Sequence, residues 1–278
     1  RDVAPSRGLG DVYKRQEFYH VPVFSIDVPS RQTASNVAYV AAQLRALKRF
    51  LEQTTGRLID EDLLAERVAR GRETLEEFEK FQSARADRFI PSDLVSPLYS
   101  GMTNNILLGT EEEKLYTEKL LKDIKNAPPK KGKHIYWMHT IPFWSDAVKE
   151  ALLLNDSAQI VGCELSQVAD LSVHSEDPYE EMAMRLVYHA LNGPISRRIE
   201  AGIHHAKQAG ADGAVWFNHW GCKHTLGGSR IAKKRFEEAG IPMLILDGDG
   251  CDRSHGGEGQ TSTRLGAFLE MLGDFDHE

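Results

Sequence analysis

The strongest constraint on the fold is an alternation of short apolar segments with helical patterns in the second half of the chain. The apolar segments are His134 to Thr140, Ala158 to Glu164, Gly213 to Trp220 and Ile241 to Asp249. The helical patterns lie near Trp144 to Leu154, Tyr179 to Ala190, Ser196 to Gln208, Ser229 to Ala239 and Ser262 to Leu272. This alternation predicts an α/β fold in which a parallel sheet has helices on both faces.

Chemically active side chains follow the predicted strands. In sheets of this kind, ligands bind beyond the carboxyl ends of the strands. His139, Glu164, Cys222 and Asp249 all fall at those ends, so we expect them to converge on one crevice. His139 and Glu164 are candidates for a general base and its orienting partner. The alternative is a satisfied histidine and a solvated carboxylate.

The first half of the chain shows mainly helical patterns. Apolar residues three and four apart run from Val37 to Leu51, and Gly56 follows as a helix cap. A second helix is predicted from about Asp60 to Phe81, and a third opens at Thr110, where Glu113 completes a capping box. Residues 127–133 have the composition of a linker, so residues 17–126 and 134–278 are predicted to belong to different domains.

The beginning of the chain contains two further features. Val21 to Ile26 is an apolar stretch that predicts a buried strand, the last of a first domain. Residues 1–16 have no apolar periodicity, and Asp11 to Gln16 can be encoded by GATGTGTATAAGAGACAG, a transposon end used in sequencing libraries. We therefore interpret residues 1–16 as a library artefact and expect natural sequence upstream of Glu17. Different codons at those six positions would contradict this interpretation.

Charge, hydropathy and cysteine content exclude several classes of protein. The formal net charge of −7 argues against a nucleic-acid partner, because such binding depends on lysine and arginine. No apolar run approaches the roughly 18 residues of a membrane span. The 3 cysteines form no C-x-x-C pair, so a disulfide framework is not expected and the cytoplasm is the predicted location.

Cys222 is compatible with three interpretations. It can be a small buried side chain, a zinc ligand together with His219 and His224, or one thiolate of an iron–sulfur cluster. The H-x-x-C-x-H spacing is not a common structural zinc pattern. The local sequence leaves the first and third interpretations open. Cys163, in an apolar strand, and Cys251, in a glycine-rich loop, are predicted to be incidental.

The loop and helix from Asp247 to Arg264 suggest an anion site. Its glycines and the hydroxyls of Thr261 and Ser262 precede a predicted helix, and helix N-termini bind anions through free N–H groups. The segment lacks the GK[ST] ending of a P-loop, so nucleotide hydrolysis is not expected. The alternative is an ordinary surface loop.

The block from Asn218 to Leu272, together with VPVFSIDVP and the long helices after it, resembles the 2-hydroxyacyl-CoA dehydratase D-component family, which includes subunits of ATP-dependent benzoyl-CoA reductase. The resemblance covers nearly all of the chain after Gln16. It implies two Rossmann-like domains joined by helices, working as a dimer of homologous subunits. Most of the first domain is then missing from the given sequence.

The resemblance also implies a [4Fe-4S] cluster bound by three cysteines. Two come from the first domain and one from the strand-end turn of the second, where Cys222 stands. Cys163 and Cys251 do not match the other two positions. The remaining ligands are therefore expected upstream of Glu17, and the chain as given is expected to be a fragment that is inactive and holds no cluster alone.

The implied reaction removes water from a 2-hydroxyacyl-CoA to give an enoyl-CoA. A separate ATP-dependent iron–sulfur activator supplies one electron, which converts the thioester into a ketyl radical. His139, Glu164 and His219 are candidates for the proton acceptor, and Thr261, Ser262 and Arg264 for binding the CoA anion. The alternatives are a benzoyl-CoA reductase-type subunit and a non-catalytic α/β paralogue without a cluster.

Overall fold

The computed structural model describes residues 18–167, 171–255 and 257–274 of the 278-residue chain. The predicted library artefact at residues 1–16 lies outside these ranges. In the first half, four helices follow one another: α1 (Ala34–Thr55), α2 (Glu61–Ala84), α3 (Ser96–Ile106) and α4 (Glu111–Asn126). The predicted caps are present, since Gly56 is left-handed at φ 69° and the Thr110 hydroxyl accepts from the Glu113 N–H.

The second half contains a four-stranded parallel sheet. Its strands are β1 (Lys133–Met138), β2 (Ala158–Cys163), β3 (Gly213–His219) and β4 (Met243–Gly248), in the order β2-β1-β3-β4. Each neighbouring pair is parallel. All four predicted strands are therefore confirmed, and their carboxyl ends lie at one edge of the sheet.

Helices cover both faces of this sheet, as predicted. They are α5 (Asp146–Leu152), α7 (Ile195–Gln208), α8 (Lys223–Glu238) and α9 (Glu258–Asp274), while α6 (Pro178–Val187) packs on the helices of the first half. Ile135 and Trp137 of β1 pack on one side with residues of α5 and α9. Tyr136 and Met138 point to the other side and pack with residues of α7 and α8. Alternate side chains of one strand thus build two separate cores.

The first-half helices pack against this unit. Buried residues of α1 and α6 form one apolar cluster, and Arg72 of α2 donates to Glu181 of α6 over 2.9 Å. The predicted linker is hydrogen-bonded to the segment after α2: the Phe89 N–H donates to Pro128 O, and the Lys130 N–H to Asp87 O, each over 2.9 Å.

No helix in the described ranges has the length and apolar character needed to span a bilayer.

The predicted strand from Val21 to Ile26 is wrong. These residues have no strand assignment, and Val21 and Ile26 are 49% and 37% exposed. A strand needs a neighbour to bond its backbone, and the segment lies beside a helix instead. The Asp27 N–H donates to the side chain of Gln43 in α1 over 2.8 Å, and that side chain donates back to Asp27 O.

Two helices begin earlier than the sequence predicts. The predicted start of α8 is Ser229, but the helix begins at Lys223 and includes Gly228. That glycine is required by packing, because a Cβ there would lie 2.7 Å from Ile195 Cγ1 of α7. The predicted start of α9 is Ser262, but Glu258 opens the helix and its carboxylate accepts from two donors at the start of α5.

Candidate functional site

A cavity of about 250 Å³ lies at the carboxyl edge of the sheet, between the ends of β1 and β2 and the starts of α7 and α8. Its polar lining consists of His139, Glu164, Arg198, Cys222 and His224. The structure therefore brings together three of the four side chains that follow the predicted strands. The fourth, Asp249, lies with His219 in a neighbouring group.

A buried ion pair between Arg198 and Glu164 lines the cavity. The Glu164 side chain is 0% exposed and that of Arg198 is 7% exposed. Arg198 Nε and Nη2 donate to the two oxygens of Glu164, the second over 2.6 Å. This fork gives two charge-assisted hydrogen bonds of fixed geometry. Glu164 also accepts from the backbone N–H of His139, directly after β1. Because its oxygens are engaged in this way, Glu164 is suited to positioning other groups rather than to accepting a proton.

His139 is held in an unusual backbone conformation at the end of β1. Its φ is 74°, in a region of backbone conformation that residues other than glycine rarely adopt. Holding a residue in this conformation costs about 1–3 kcal/mol. Its N–H donates to Glu164 Oε2 over 2.9 Å. Glu164 therefore orients His139 through the backbone and not through the imidazole ring.

The His139 ring is neutral at pH 7. Burial, with further contributions from the positive charge of Arg198 and from His219, lowers the pKa of His139 to about 4. Among the described residues no group bonds its buried Nδ1, which leaves Nε2 as the nitrogen that a ligand can reach. A neutral imidazole beside a cavity can accept a proton, and its pKa of about 4 makes it a weaker base than an ordinary histidine.

Cys222 lies directly before α8 and lines the same cavity. Burial raises the pKa of its thiol, but hydrogen bonds from Thr225 and the His224 N–H, together with the charge of Arg198, outweigh that effect. The pKa of Cys222 is therefore below its ordinary value, as is typical of thiols at helix N-termini. Cys163 differs, because burial raises the pKa of its thiol to about 12.

His219 turns away from Cys222 toward the end of β4. Its Nδ1 accepts from the Gly250 N–H over 2.8 Å, and its ring stacks on that of His139 with centroids 6.2 Å apart. His219, Asp249 and Cys251 place ligand atoms within 4.8 Å of one another. This group differs from the H-x-x-C-x-H set considered from the sequence, because Asp249 and Cys251 stand in place of Cys222 and His224.

The structure does not bring Thr261, Ser262 and Arg264 to the cavity. The Thr261 N–H already donates to Gly257 O over 2.9 Å, so it is not free for an anion. Ser262 lines a groove with Lys133 and Ala158, at the amino edge of the sheet. Arg264 Nη2 donates to Ile245 O, and Arg264 Nη1 lies 3.6 Å from Asp247 Oδ2. Their role in binding CoA stays a prediction.

Sequence reasoning missed Arg198, although a signal for it exists. Ile199, Gly202, Ile203 and Ala206 form the buried stripe of α7, and Arg198 falls within that stripe. A charged residue on the apolar face of a helix is expected to be buried and therefore paired. The identity of its partner, Glu164, depends on the tertiary fold and has no local signal.

Comparison with known proteins gives one family. The family model described as 2-hydroxyglutaryl-CoA dehydratase, D-component, matches residues 8–272. None of the curated proteins compared with the chain matches it. The matched range contains every residue of the cavity described above and nearly the whole sequence. The chain therefore belongs to the 2-hydroxyglutaryl-CoA dehydratase D-component family.

Proposed function

We propose that the chain is a cytoplasmic subunit of a 2-hydroxyacyl-CoA dehydratase that eliminates water to give an enoyl-CoA. Family membership indicates a dehydratase-type component. The observation that supports the finer assignment is the cavity itself, where Cys222, with its lowered pKa, and the neutral His139 both face one space of about 250 Å³. A packed scaffold protein has no need of either feature.

Cys222 fits one ligand position of an iron–sulfur cluster. Thiolates are the usual cluster ligands, and its lowered pKa favours the thiolate form. Of the 3 cysteines in the sequence, Cys222 alone lines the described cavity. In this proposal the other ligands of the [4Fe-4S] cluster are the two first-domain cysteines that the resemblance implies, upstream of Glu17. When bound, such a cluster supplies low-potential one-electron chemistry.

The reaction needs an electron because the C3 proton of a 2-hydroxyacyl thioester is not acidic. General acid–base catalysis contributes only about 10²–10⁴-fold, too little for this elimination. In the proposed reaction, one electron enters the thioester carbonyl to give a ketyl radical anion, which expels the C2 hydroxyl. The resulting radical acidifies the C3 proton, and the electron is recovered after that proton leaves.

Among the predicted acceptors, we assign the C3 proton to His139 Nε2. Glu164 is fully engaged by Arg198 and a backbone N–H, and His219 is bonded to the Gly250 N–H outside the cavity lining. His139 is the neutral base that remains, and its pKa of about 4 keeps it unprotonated across the neutral range. Glu164 and Arg198 position it.

Two partners complete the proposal. A homologous second subunit forms the dimer, and an ATP-dependent iron–sulfur activator delivers the electron. The absence of a GK[ST] P-loop motif from the sequence supports a separate ATP-hydrolysing protein. The acyl-CoA substrate enters the cavity through its thioester end.

The test is anaerobic assay of the protein extended by its upstream coding sequence, together with its partner subunit and activator. We expect ATP-dependent formation of enoyl-CoA and bound iron with broad absorption near 400 nm. Cys222→Ala should lose both, and the matched control Cys251→Ala should keep both. His139→Gln should keep the iron and lose turnover by about 10²-fold or more. Full iron in Cys222→Ala would contradict the cluster assignment, and full turnover in His139→Gln the proton assignment.

A further inference from the structure

A second cavity, of about 190 Å³, lies between α2, α3, α4 and the edge strand β2. This volume is well above the roughly 10–15 Å³ that one water requires. Its walls are mainly apolar, with aromatic and aliphatic side chains from three helices and the loop between α2 and α3: Phe78, Phe81, Ile90, Pro91, Pro97 and Leu120. Its polar groups include Gln82, Arg85, Ser100 and Tyr116.

Arg85 is a buried positive charge on the wall of this cavity. The residue is 7% exposed, and its Nη2 donates to Ile160 O over 3.1 Å. Its guanidinium lies 5.8 Å from the centre of the Phe81 ring. Burial lowers the pKa of Arg85 to about 10, so the side chain remains charged at neutral pH.

No carboxylate in the described ranges forms an ion pair with Arg85. Buried charges are normally paired, because an uncompensated charge in a low-dielectric interior costs several kcal/mol. Among the described residues, Ile160 O is the acceptor for one of the five guanidinium N–H groups and the other four have none, and Arg85 lines open space. Both facts favour an anion inside the cavity.

The neighbouring groups favour an organic anion over an inorganic one. Ser100 and Tyr116 share a hydrogen bond of 2.9 Å, and both line the cavity together with Arg85. Phe78 and Leu120 line the same cavity and offer an apolar surface. Inorganic phosphate would leave that surface without a partner, whereas a short alkyl chain would cover it.

We infer that this cavity, here named the Arg85 cavity, binds a small aliphatic carboxylate. The carboxylate accepts from Arg85 as a fork and from the Tyr116 O–H, which turns to it from Ser100, and the alkyl chain packs on Phe78 and Leu120. The site is distinct from the candidate functional site. Gly162 and Ser166 line the Arg85 cavity, while Glu164 lines the other, so the end of β2 lies between them.

The test uses the chain as it stands, with sodium butyrate as the probe and sodium phosphate and sodium chloride at matched ionic strength. Calorimetry should show saturable binding of butyrate, and thermal unfolding should show a concentration-dependent rise in Tm. Arg85→Met should weaken butyrate binding at least tenfold. The matched control Arg88→Met removes an exposed arginine three residues away and should bind butyrate as the parent chain does.

Tyr116→Phe keeps the core shape and should weaken butyrate binding several-fold, which allows a test even where Arg85→Met does not fold. Three results would overturn the inference: no saturable butyrate binding, equal binding by Arg85→Met or Tyr116→Phe, or binding of phosphate without butyrate. Cluster content and dehydratase activity are not measured here, so this test is independent of the proposed function.

Discussion

Arg198→Met should destabilise the fold strongly, because it leaves the Glu164 carboxylate buried without its countercharge. Glu164 accepts two hydrogen bonds from the guanidinium and one from the His139 N–H, and its side chain is 0% exposed. Breaking a buried pair from one side costs about 3–5 kcal/mol. Urea unfolding at pH 7, followed by circular dichroism, should show a loss of this size in the free energy of unfolding.

Removing both charges separates this explanation from a packing defect. The double variant Glu164→Gln with Arg198→Met should be at least about 1 kcal/mol more stable than Arg198→Met alone, because no charge is left buried. Arg235→Met is the exposed control: its partner Glu200 is 54% exposed, so the free energy of unfolding should change far less than in Arg198→Met. A loss below about 1 kcal/mol in Arg198→Met, or no recovery in the double variant, would refute the reasoning.

Three further predictions concern separate parts of the chain. Iodoacetamide at pH 7 should modify Cys222 but not Cys163 in the folded protein, measured by mass spectrometry, because the pKa of Cys222 is lowered and burial raises that of Cys163 to about 12. Burial lowers the pKa of His134 from 6.5 to about 4, so the unfolded chain binds the proton first as the pH falls. The free energy of unfolding should therefore fall between pH 6.5 and 4, by up to about 1.4 kcal/mol per pH unit from His134. Urea unfolding at a series of pH values should show that His134→Gln removes this contribution. Gly101→Ala should lower Tm and reduce the free energy of unfolding by about 1–3 kcal/mol, because the new Cβ would lie 2.4 Å from the carbonyl oxygen of Leu165, after β2. Gly266→Ala, at a position with open space around it, should not destabilise the protein.

The sheet could be predicted from the sequence because its strands are buried on both faces. Such strands appear as continuous apolar runs between turn residues, and all four runs were strands. The same signal failed at Val21 to Ile26, since an apolar run does not itself supply a neighbouring strand. The helix α3 was missed because its sequence, SPLYSGMTNNI, is largely polar or small and has no clear apolar period.

The site was predictable only as far as topology determines it. Parallel strands carry the residues after them to one edge, which explains why His139, Glu164 and Cys222 lie together. The contacts between these residues were not predictable, because Arg198 comes from α7, 34 residues after Glu164 in the sequence. The early start of α9 likewise moved Thr261 into a helical hydrogen bond that the loop-like sequence does not indicate.

One buried guanidinium contributes to the pKa of both reactive groups in the cavity, beside burial at His139 and the hydrogen bonds from Thr225 and His224 at Cys222. The charge of Arg198 contributes to lowering the pKa of His139 and also to lowering the pKa of Cys222. A nearby positive charge destabilises an imidazolium and stabilises a thiolate, so one residue favours a free base and a metal-binding sulfur together. Arg198→Met should therefore raise both pKa values, which alkylation rates of Cys222 and NMR titration of His139 can measure. A rise in neither pKa would show that Arg198 serves only to neutralise Glu164.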